Sequence, residues 1–333
     1  VSSPVREISV VLVSWRDAAD TLAAIESLAD ARRRIPPDGP RTSLVVVDNG
    51  GDLPRAAVLA AWPDATLLVN EANRGFGPAA NQGADAAGGD VLLFLNPDTR
   101  AVGEPFGEIA NAFDSRPDVA AVAPRLVDDG KGNSSGPLLA RPDREDQFTF
   151  QLRRLPRLGD DARELLLFDH LAPNNRGRRR FRYADRDPCS PLEVEQAAGA
   201  ALAVRRDVFR KAGAFDESFV PAWFEDVDLC ARLAEHGAIL YWPAARFRHR
   251  GGASSGHLGY RRFLPIYYAN ALRYRRGRYG AAARLAYRAL LATGMALRLA
   301  ALPVRRRPPR PRRESAAAYL RVFAMALGLA GNR

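Results

Sequence analysis

The chain has 333 residues, a formal net charge of +11 and 47% hydrophobic residues. That apolar content supplies a sizeable core and excludes wholesale disorder. Two cysteines, Cys189 and Cys230, exclude a disulfide scaffold or a cysteine-based zinc module, and a reducing compartment is the simpler expectation.

Residues 1–6 lead straight into a strand-like run, so no leader is expected. The first 125 residues then alternate. Residues 8–15 (ISVVLVSW) are apolar and β-branched, the pattern of a buried strand. Leu22, Ile25 and Leu28 recur at helical spacing over 20–31. Strands are predicted at 43–47, 66–69, 91–95 and 119–123, with helices at 53–62, 76–87 and 105–113. Such alternation predicts a doubly wound, mostly parallel α/β sheet. Ligands of these sheets bind beyond the carboxyl ends of the strands. Polar clusters stand there: Ser14-Trp15, Asp48-Asn49 and Asn96-Pro97-Asp98.

Residues 126–192 are rich in Arg, Asp, Pro and Gly without a sustained period, and read as a long insertion. Regular structure returns over 192–204. A helix is expected over 225–236, closed by Gly237 at a C′ position, followed by a strand at 239–242. No internal repeat is present.

Several clusters carry chemistry. Asp48 follows four apolar strand residues; it suits a turn, or a carboxylate accepting from a ribose or base. In the segment 73–83 (NRGFGPAANQG), glycines allow close backbone approach to a ligand and a helix offers free N–H groups, although the dinucleotide fingerprint is absent. Asp98, after an apolar strand, could meet a divalent metal whose other ligands are phosphate oxygens. Trp223 and Phe224 precede Glu225, Asp226 and Asp228. Acids there cap a helix, and one of them could take a proton from a hydroxyl. His249, between two arginines and before Gly-Gly, suits a metal or diphosphate contact.

Taken in order, VSW (13–15), VVDNGG (46–51), NRGFGPAANQG (73–83), LNPDT (95–99), GAALAVRRDVF (199–209), FDESF (215–219), EDVDLCARLAEHG (225–237) and RHRGG (248–252) resemble an inverting family 2 glycosyltransferase with the GT-A fold. The nearest subgroup is similar to the rhamnosyltransferase-like enzymes of bacterial cell-surface polysaccharide assembly. The resemblance spans about residues 7–255, interrupted by the insertion. It implies that Ser14 and Asp48 line the nucleotide, with Val13, Trp15 and Asn49 beside them. Asn73, Gly75, Phe76, Asn81 and Asn96 would border the nucleotide-sugar pocket. Asp98 would be the metal-binding acid of the D-x-D element, whose first acid is here Asn96, and His249 would complete the metal (Mg2+ or Mn2+) or diphosphate site. Asp226 matches the catalytic base, Glu225 is the second choice, and Trp223 falls on the acceptor side. The implied donor is a nucleoside-diphosphate sugar, dTDP-rhamnose or a UDP-sugar being favoured, and the acceptor is lipid-linked or a glycan. The alternative is a catalytically weak protein that binds nucleotide or glycan on the same fold.

The charge is uneven. Residues 261–313 hold 15 arginines and no acid, which leaves the first 260 residues at −5. The balance disfavours a nucleic-acid-binding body and points the C-terminal quarter at an anionic surface. A helix is expected over 281–302. At about 100° per residue, Arg288 and Arg298 fall within about 40° of Arg284. The arginines leave no apolar run long enough to span a bilayer. The segment therefore reads as a helix lying on a membrane, or as a packed helical extension with a solvated arginine side. A second helix is expected over 319–330. The expected division is a catalytic domain at 1–258 and a basic amphipathic extension at 259–333. The expected location is cytoplasmic, peripheral on the inner face of the cytoplasmic membrane.

Overall fold

A computed structural model of the chain describes residues 4–128, 147–251, 259–303 and 311–329. In chain order its elements begin β1 (Glu7–Ser14), α1 (Ala18–Arg32), β2 (Arg41–Asp48), α2 (Arg55–Ala61), β3 (Thr66–Val69), α3 (Phe76–Ala86) and β4 (Val91–Leu95). They continue through β5 (Thr99–Val102), α4 (Pro105–Ser115), β6 (Val119–Asp128), α5 (Phe148–Gln151) and β7 (Leu152–Arg153). Three short helices follow: α6 (Leu158–Leu165), α7 (Phe168–Leu171) and α8 (Arg176–Phe181). Next are β8 (Leu192–Glu193), β9 (Gln196–Ala197), β10 (Ala201–Arg205), α9 (Arg206–Lys211), α10 (Glu225–Leu233) and β11 (Ala238–His249). The last helices are α11 (Tyr260–Arg278), α12 (Ala281–Ala301) and α13 (Arg312–Leu327). The described residues fall into two compact units: 4–128, 147–154 and 186–251 in the first, and 155–185, 259–303 and 311–329 in the second.

The first unit is built on a nine-stranded sheet in the order β3-β2-β1-β4-β10-β6-β11-β5, with β8 paired to β11. Strands β3, β2, β1 and β4 are mutually parallel, and β10 enters antiparallel between β4 and β6. Seven of the eight residues of β1 are buried, as a central strand covered on both faces requires. Ile8, Val10 and Leu12 join Ile25 and Leu28 of α1 and Phe106, Ile109 and Phe113 of α4 in the main core. On the other face Phe94 meets Phe209 and Phe215, with ring centroids 5.1 and 5.0 Å away. Parallel pairing aligns the strand ends, so Ser14 lies opposite Asp48.

Three local expectations change. The stretch after Asp98, where no element is predicted, holds the four-residue strand β5, which pairs antiparallel with β11 and sets His249 opposite Thr99. Four residues are too few for a period to show, and their partner lies about 150 residues away. The strand expected at 239–242 extends to His249, which is therefore its last residue. Gly237 is not a left-handed C′ residue: α10 ends at Leu233, and Gly237 is absent from the positive-φ glycines. It is small for another reason, since a Cβ there would stand 2.5 Å from the backbone oxygen of Asp118 and 3.0 Å from the nitrogen of Ala120.

The second unit contains α6 to α8, formed within the segment read as irregular, together with α11 to α13. Part of the arginine side of α12 is taken up by packing. Arg298 donates to the Leu165 and Glu164 carbonyls at the end of α6, at 2.6 and 3.0 Å. Arg288 reaches the Met325 carbonyl near the end of α13 at 3.5 Å. Carbonyls at helix C-termini lack internal partners and carry partial negative charge, so they attract these cations. The exposed side of α12 instead shows Leu285 (68% exposed) and Leu297. Among the described residues, no helix is long and apolar enough to cross a membrane.

Gly237→Ala is expected to destabilise the protein by about 1–3 kcal/mol, because the added methyl meets backbone that cannot swing aside. Urea unfolding measures this; unchanged stability would show that the α10–β11 turn relaxes freely.

Candidate active site

The site is assembled at the carboxyl ends of β1, β2 and β4, wholly within the first unit. Ser14 is buried at the end of β1 and shares a 2.7 Å hydrogen bond with Thr21 of α1. Val13 points its side chain into the core, and Trp15 follows the strand with the Arg16 guanidinium 5.3 Å from its ring centroid. Asp48 accepts from the backbone N–H groups of Gly51 and Leu53, each at 2.9 Å. Its carboxylate therefore builds the turn after β2, the simpler of its two sequence readings.

Asn49 ties this turn to the next loop. Its amide nitrogen donates to Asn73 Oδ1 (2.9 Å) and to the Gly75 carbonyl (3.2 Å), while its oxygen accepts from Asn70 Nδ2 and Arg74 N, both at 3.1 Å. Gly75 has φ +94°, and a Cβ there would come within 3.0 Å of Val220 Cγ1. The following N–H, of Phe76, donates to the Pro221 carbonyl at 2.8 Å. Asn81 makes a second bridge to the same distant segment, donating to the Phe215 carbonyl and accepting from its N–H. Gly75, Phe76 and Asn81 thus hold this segment against residues 215–221, while Asn73 bonds to Asn49 and to Gly75 N within the loop.

Asp98 and His249 are brought together by the β5–β11 pairing. His249 Nε2 lies 3.3 Å from Asp98 Oδ1, and both side chains are buried. The other Asp98 oxygen accepts from Gly251 N at 3.1 Å. Burial by itself raises the Asp98 pKa, but the neighbouring His249, its hydrogen bond and Arg250 outweigh burial and hold it below the ordinary range. His249 Nδ1 is 2.8 Å from Gln147 Oε1, and the Gln147 amide nitrogen donates back to the His249 carbonyl. With an acceptor at Nδ1, that nitrogen is the donor, and Nε2 faces the Asp98 carboxylate. Arg250 and Arg100 both pair with Asp20 of α1.

These residues fit a divalent cation. A carboxylate oxygen and an imidazole nitrogen share one buried point, at a spacing that ligand distances of about 2.1 Å accommodate. Among the described residues no group of three or more His, Cys, Asp or Glu side chains could hold a metal. Asp98 and His249 would therefore hold the ion with help from a phosphate-bearing ligand. Asn96 hydrogen-bonds through its backbone, to Ala200 and Thr99.

The acidic cluster opens α10. Trp223 (φ 75°) and Phe224 (φ 73°) both take the left-handed conformation, each at a cost of about 1–3 kcal/mol for a bulky residue. This kink presents the first turn of α10 to the loop before β10. Asp228 is spent in an ion pair with Arg232 at 2.7 Å. Asp226 accepts from Gly199 N at 3.1 Å, and its neighbour Ala200 accepts from Asn96 N at 3.0 Å. The acid is thereby linked through backbone to the Asn96-Pro97-Asp98 turn. Burial raises the Asp226 pKa, opposed by the Gly199 and Val227 N–H groups and by Arg153. Glu225 is raised well above its ordinary value by burial first and by Asp226 second, and its Oε2 has no hydrogen-bond partner among the described residues.

Gln147, Asp20 and Arg153 were missed in the sequence. Gln147 and Arg153 fall in the segment without a period, and Asp20 reads as an ordinary first-turn acid. None carries a local signal, because each acts on a residue far away in the chain.

The sheet is that of the GT-A class of glycosyltransferases, and the comparisons agree. Residues 9–186 match the model of glycosyl transferase family 2. The N-acetylglucosaminyl-diphospho-decaprenol L-rhamnosyltransferases of two Mycobacterium tuberculosis strains, CDC 1551 / Oshkosh and H37Rv, are each 30% identical over 228 residues, covering 64% of this chain and 68% of theirs. The mannosyltransferase PcManGT of Pyrobaculum calidifontis, solved with GDP-Man and Mn2+, superposes with a TM-score of 0.52 at 15% identity, covering 98% of this chain and 88% of its own. GalNAc-T7, solved with UDP, GalNAc and Mn2+, gives a TM-score of 0.51 at 15% identity, covering 83% of this chain and 51% of its own. The two structures share the fold. The chain belongs to glycosyl transferase family 2.

Because Glu225 holds its proton more tightly when folded, its contribution to stability is fully present below about 4.5 and is lost as pH rises above that value. Glu225→Gln is therefore expected to raise stability at pH 7.5 relative to its effect at pH 4.5. Urea unfolding at both pH values checks this, and an equal effect at both would place Glu225 in a solvated setting.

Proposed function

We propose that the first unit catalyses an inverting transfer from a nucleoside-diphosphate sugar to a hydroxyl of a lipid-linked or polysaccharide acceptor. The observation that carries this reading is the backbone link from Asp226 through Gly199 and Ala200 to the Asp98 turn. It holds a candidate base and a candidate diphosphate end in fixed relation on rigid strand ends.

In the proposed reaction the acceptor oxygen attacks the anomeric carbon from the face opposite the leaving group. The new C–O bond forms as the bond to the diphosphate oxygen breaks, and the electron pair departs with the diphosphate. The hydroxyl proton passes to a carboxylate oxygen of Asp226. The Gly199 N–H orients that carboxylate, and the Trp223–Phe224 kink sets its position. Burial pushes the Glu225 carboxyl well above its ordinary range, which disfavours a second negative charge beside Asp226. Asp98 and His249, the latter oriented by Gln147, would hold Mg2+ or Mn2+, which when bound neutralises charge developing on the diphosphate. Asn73, Gly75 and Asn81 would border the donor. Trp223 would stand on the acceptor side.

The rhamnosyltransferase name of the mycobacterial relatives supports dTDP-rhamnose as the first donor to test, with UDP-sugars next, and a polyprenyl-diphosphate-linked GlcNAc as the first acceptor. The arginine-rich second unit, with Leu285, Leu297 and Leu320 exposed, supports peripheral attachment at the inner face of the cytoplasmic membrane.

Asp226→Asn is expected to lower kcat by about 100-fold or more while donor affinity, followed by thermal shift, is retained. The wild-type rate should fall on the acid side with a midpoint above the ordinary aspartate value, because Asp226 must be ionised to accept the proton and burial raises its pKa. Transfer by the Asn variant at the wild-type rate would move the base elsewhere. Gln147→Leu is expected to weaken Mn2+-dependent donor binding by about 10- to 100-fold, since the ring loses its fixed tautomer. Calorimetry with and without Mn2+ reads this, and an unchanged metal dependence would detach Gln147 from the site.

A further inference from the structure

The second unit contains a cavity of about 470 Å³ between α11 and α12, outside the site described above. Its walls include Arg273, Arg275, Arg276, Arg284, Tyr287 and Arg288. Five guanidinium groups around one cavity repel each other unless an anion is present. One of the five is already neutralised. Arg275 is buried, pairs with Asp161 through two nitrogens and lies 3.8 Å from the centroid of the Tyr287 ring. It forms a rigid inner wall.

The other four have no carboxylate partner among the described residues. Arg273 and Arg276 are exposed on one face of α11, three residues apart. Arg284 and Arg288 are half-buried on α12, four residues apart, and make only long contacts to the carbonyls of Arg276 (3.4 Å) and Met325 (3.5 Å). Each guanidinium has five N–H donors, so most of these donors have no protein acceptor among the described residues. Planar forks of this kind match phosphate oxygens in pairs.

We infer that this cavity is a binding site for a phosphate group, held by Arg273, Arg276, Arg284 and Arg288. The source of the phosphate is an anionic lipid headgroup or a free diphosphate. Leu285, 68% exposed and one residue beyond Arg284, supplies the apolar contact that favours the lipid. That choice of source, but not the site itself, rests on the membrane reading proposed above.

The test uses the full chain in EDTA. Wild-type protein, Arg273→Ala/Arg276→Ala, and a control with the same charge loss on the first unit, Arg34→Ala/Arg210→Ala, are compared with two probes. One is sodium pyrophosphate followed by calorimetry. The other is co-flotation with phosphatidylcholine vesicles with and without phosphatidylglycerol. The cavity variant is expected to bind at least one probe about tenfold or more weakly than the control. Loss on vesicles assigns the site to lipid phosphate, and loss on pyrophosphate assigns it to a free diphosphate. If wild-type protein ignores the vesicles, the membrane reading fails while the pyrophosphate arm still decides the cavity. Equal behaviour of the two variants on both probes overturns the inference.

Discussion

The site depends on the antiparallel pairing of β11 with β5. That pairing sets His249 opposite Thr99 and closes its ring nitrogen to 3.3 Å from the Asp98 carboxylate. A buried carboxylate without a partner would be costly, so the two elements support each other. The arrangement is over-determined from outside. Gln147 fixes the ring through Nδ1, and Gly251 N holds the second carboxylate oxygen. Asp20 draws Arg100 and Arg250 together on either side of the pairing.

The opposite end of the site uses strain where this end uses pairing. Two successive aromatic residues in the left-handed conformation turn the chain into α10 and deliver Glu225 and Asp226 to the loop before β10. That conformation persists because its surroundings hold it: Phe224 is buried, and the neighbouring 215–221 segment is tied by Asn81 and by the Phe76 N–H. Two carboxyl groups side by side then differ in role. Glu225 has no hydrogen-bond donor for Oε2 among the described residues and is pushed well above its ordinary range by burial, whereas Asp226 receives two backbone N–H groups that favour its charged form.

The net charge of +11 has two different uses in the second unit. Some arginines are structural cations: Arg298 satisfies helix-terminal carbonyls, and Arg275 is matched by Asp161. Others gather around one cavity without a carboxylate partner among the described residues. The same residue type therefore stabilises the unit and supplies its recognition chemistry, according to what each side chain meets.

Much of this protein was legible before any coordinates. The apolar runs of β1, β2 and β4 announce buried parallel strands because a strand covered on both faces needs apolar side chains at every position. The clusters ending at Ser14, Asp48 and Asp98 fall at the strand ends where such sheets bind ligands. The acids opening α10 were visible as a local pattern, as was the basic C-terminal quarter. Tertiary structure alone decided the rest. It made a strand of Thr99–Val102, gave Gly237 its size limit, recruited Gln147 and Asp20, and turned Arg298 inward. Each of these depends on a partner far along the chain. Short-range periodicity reports what a residue does for its own helix or strand, and only the folded chain shows which distant group it meets.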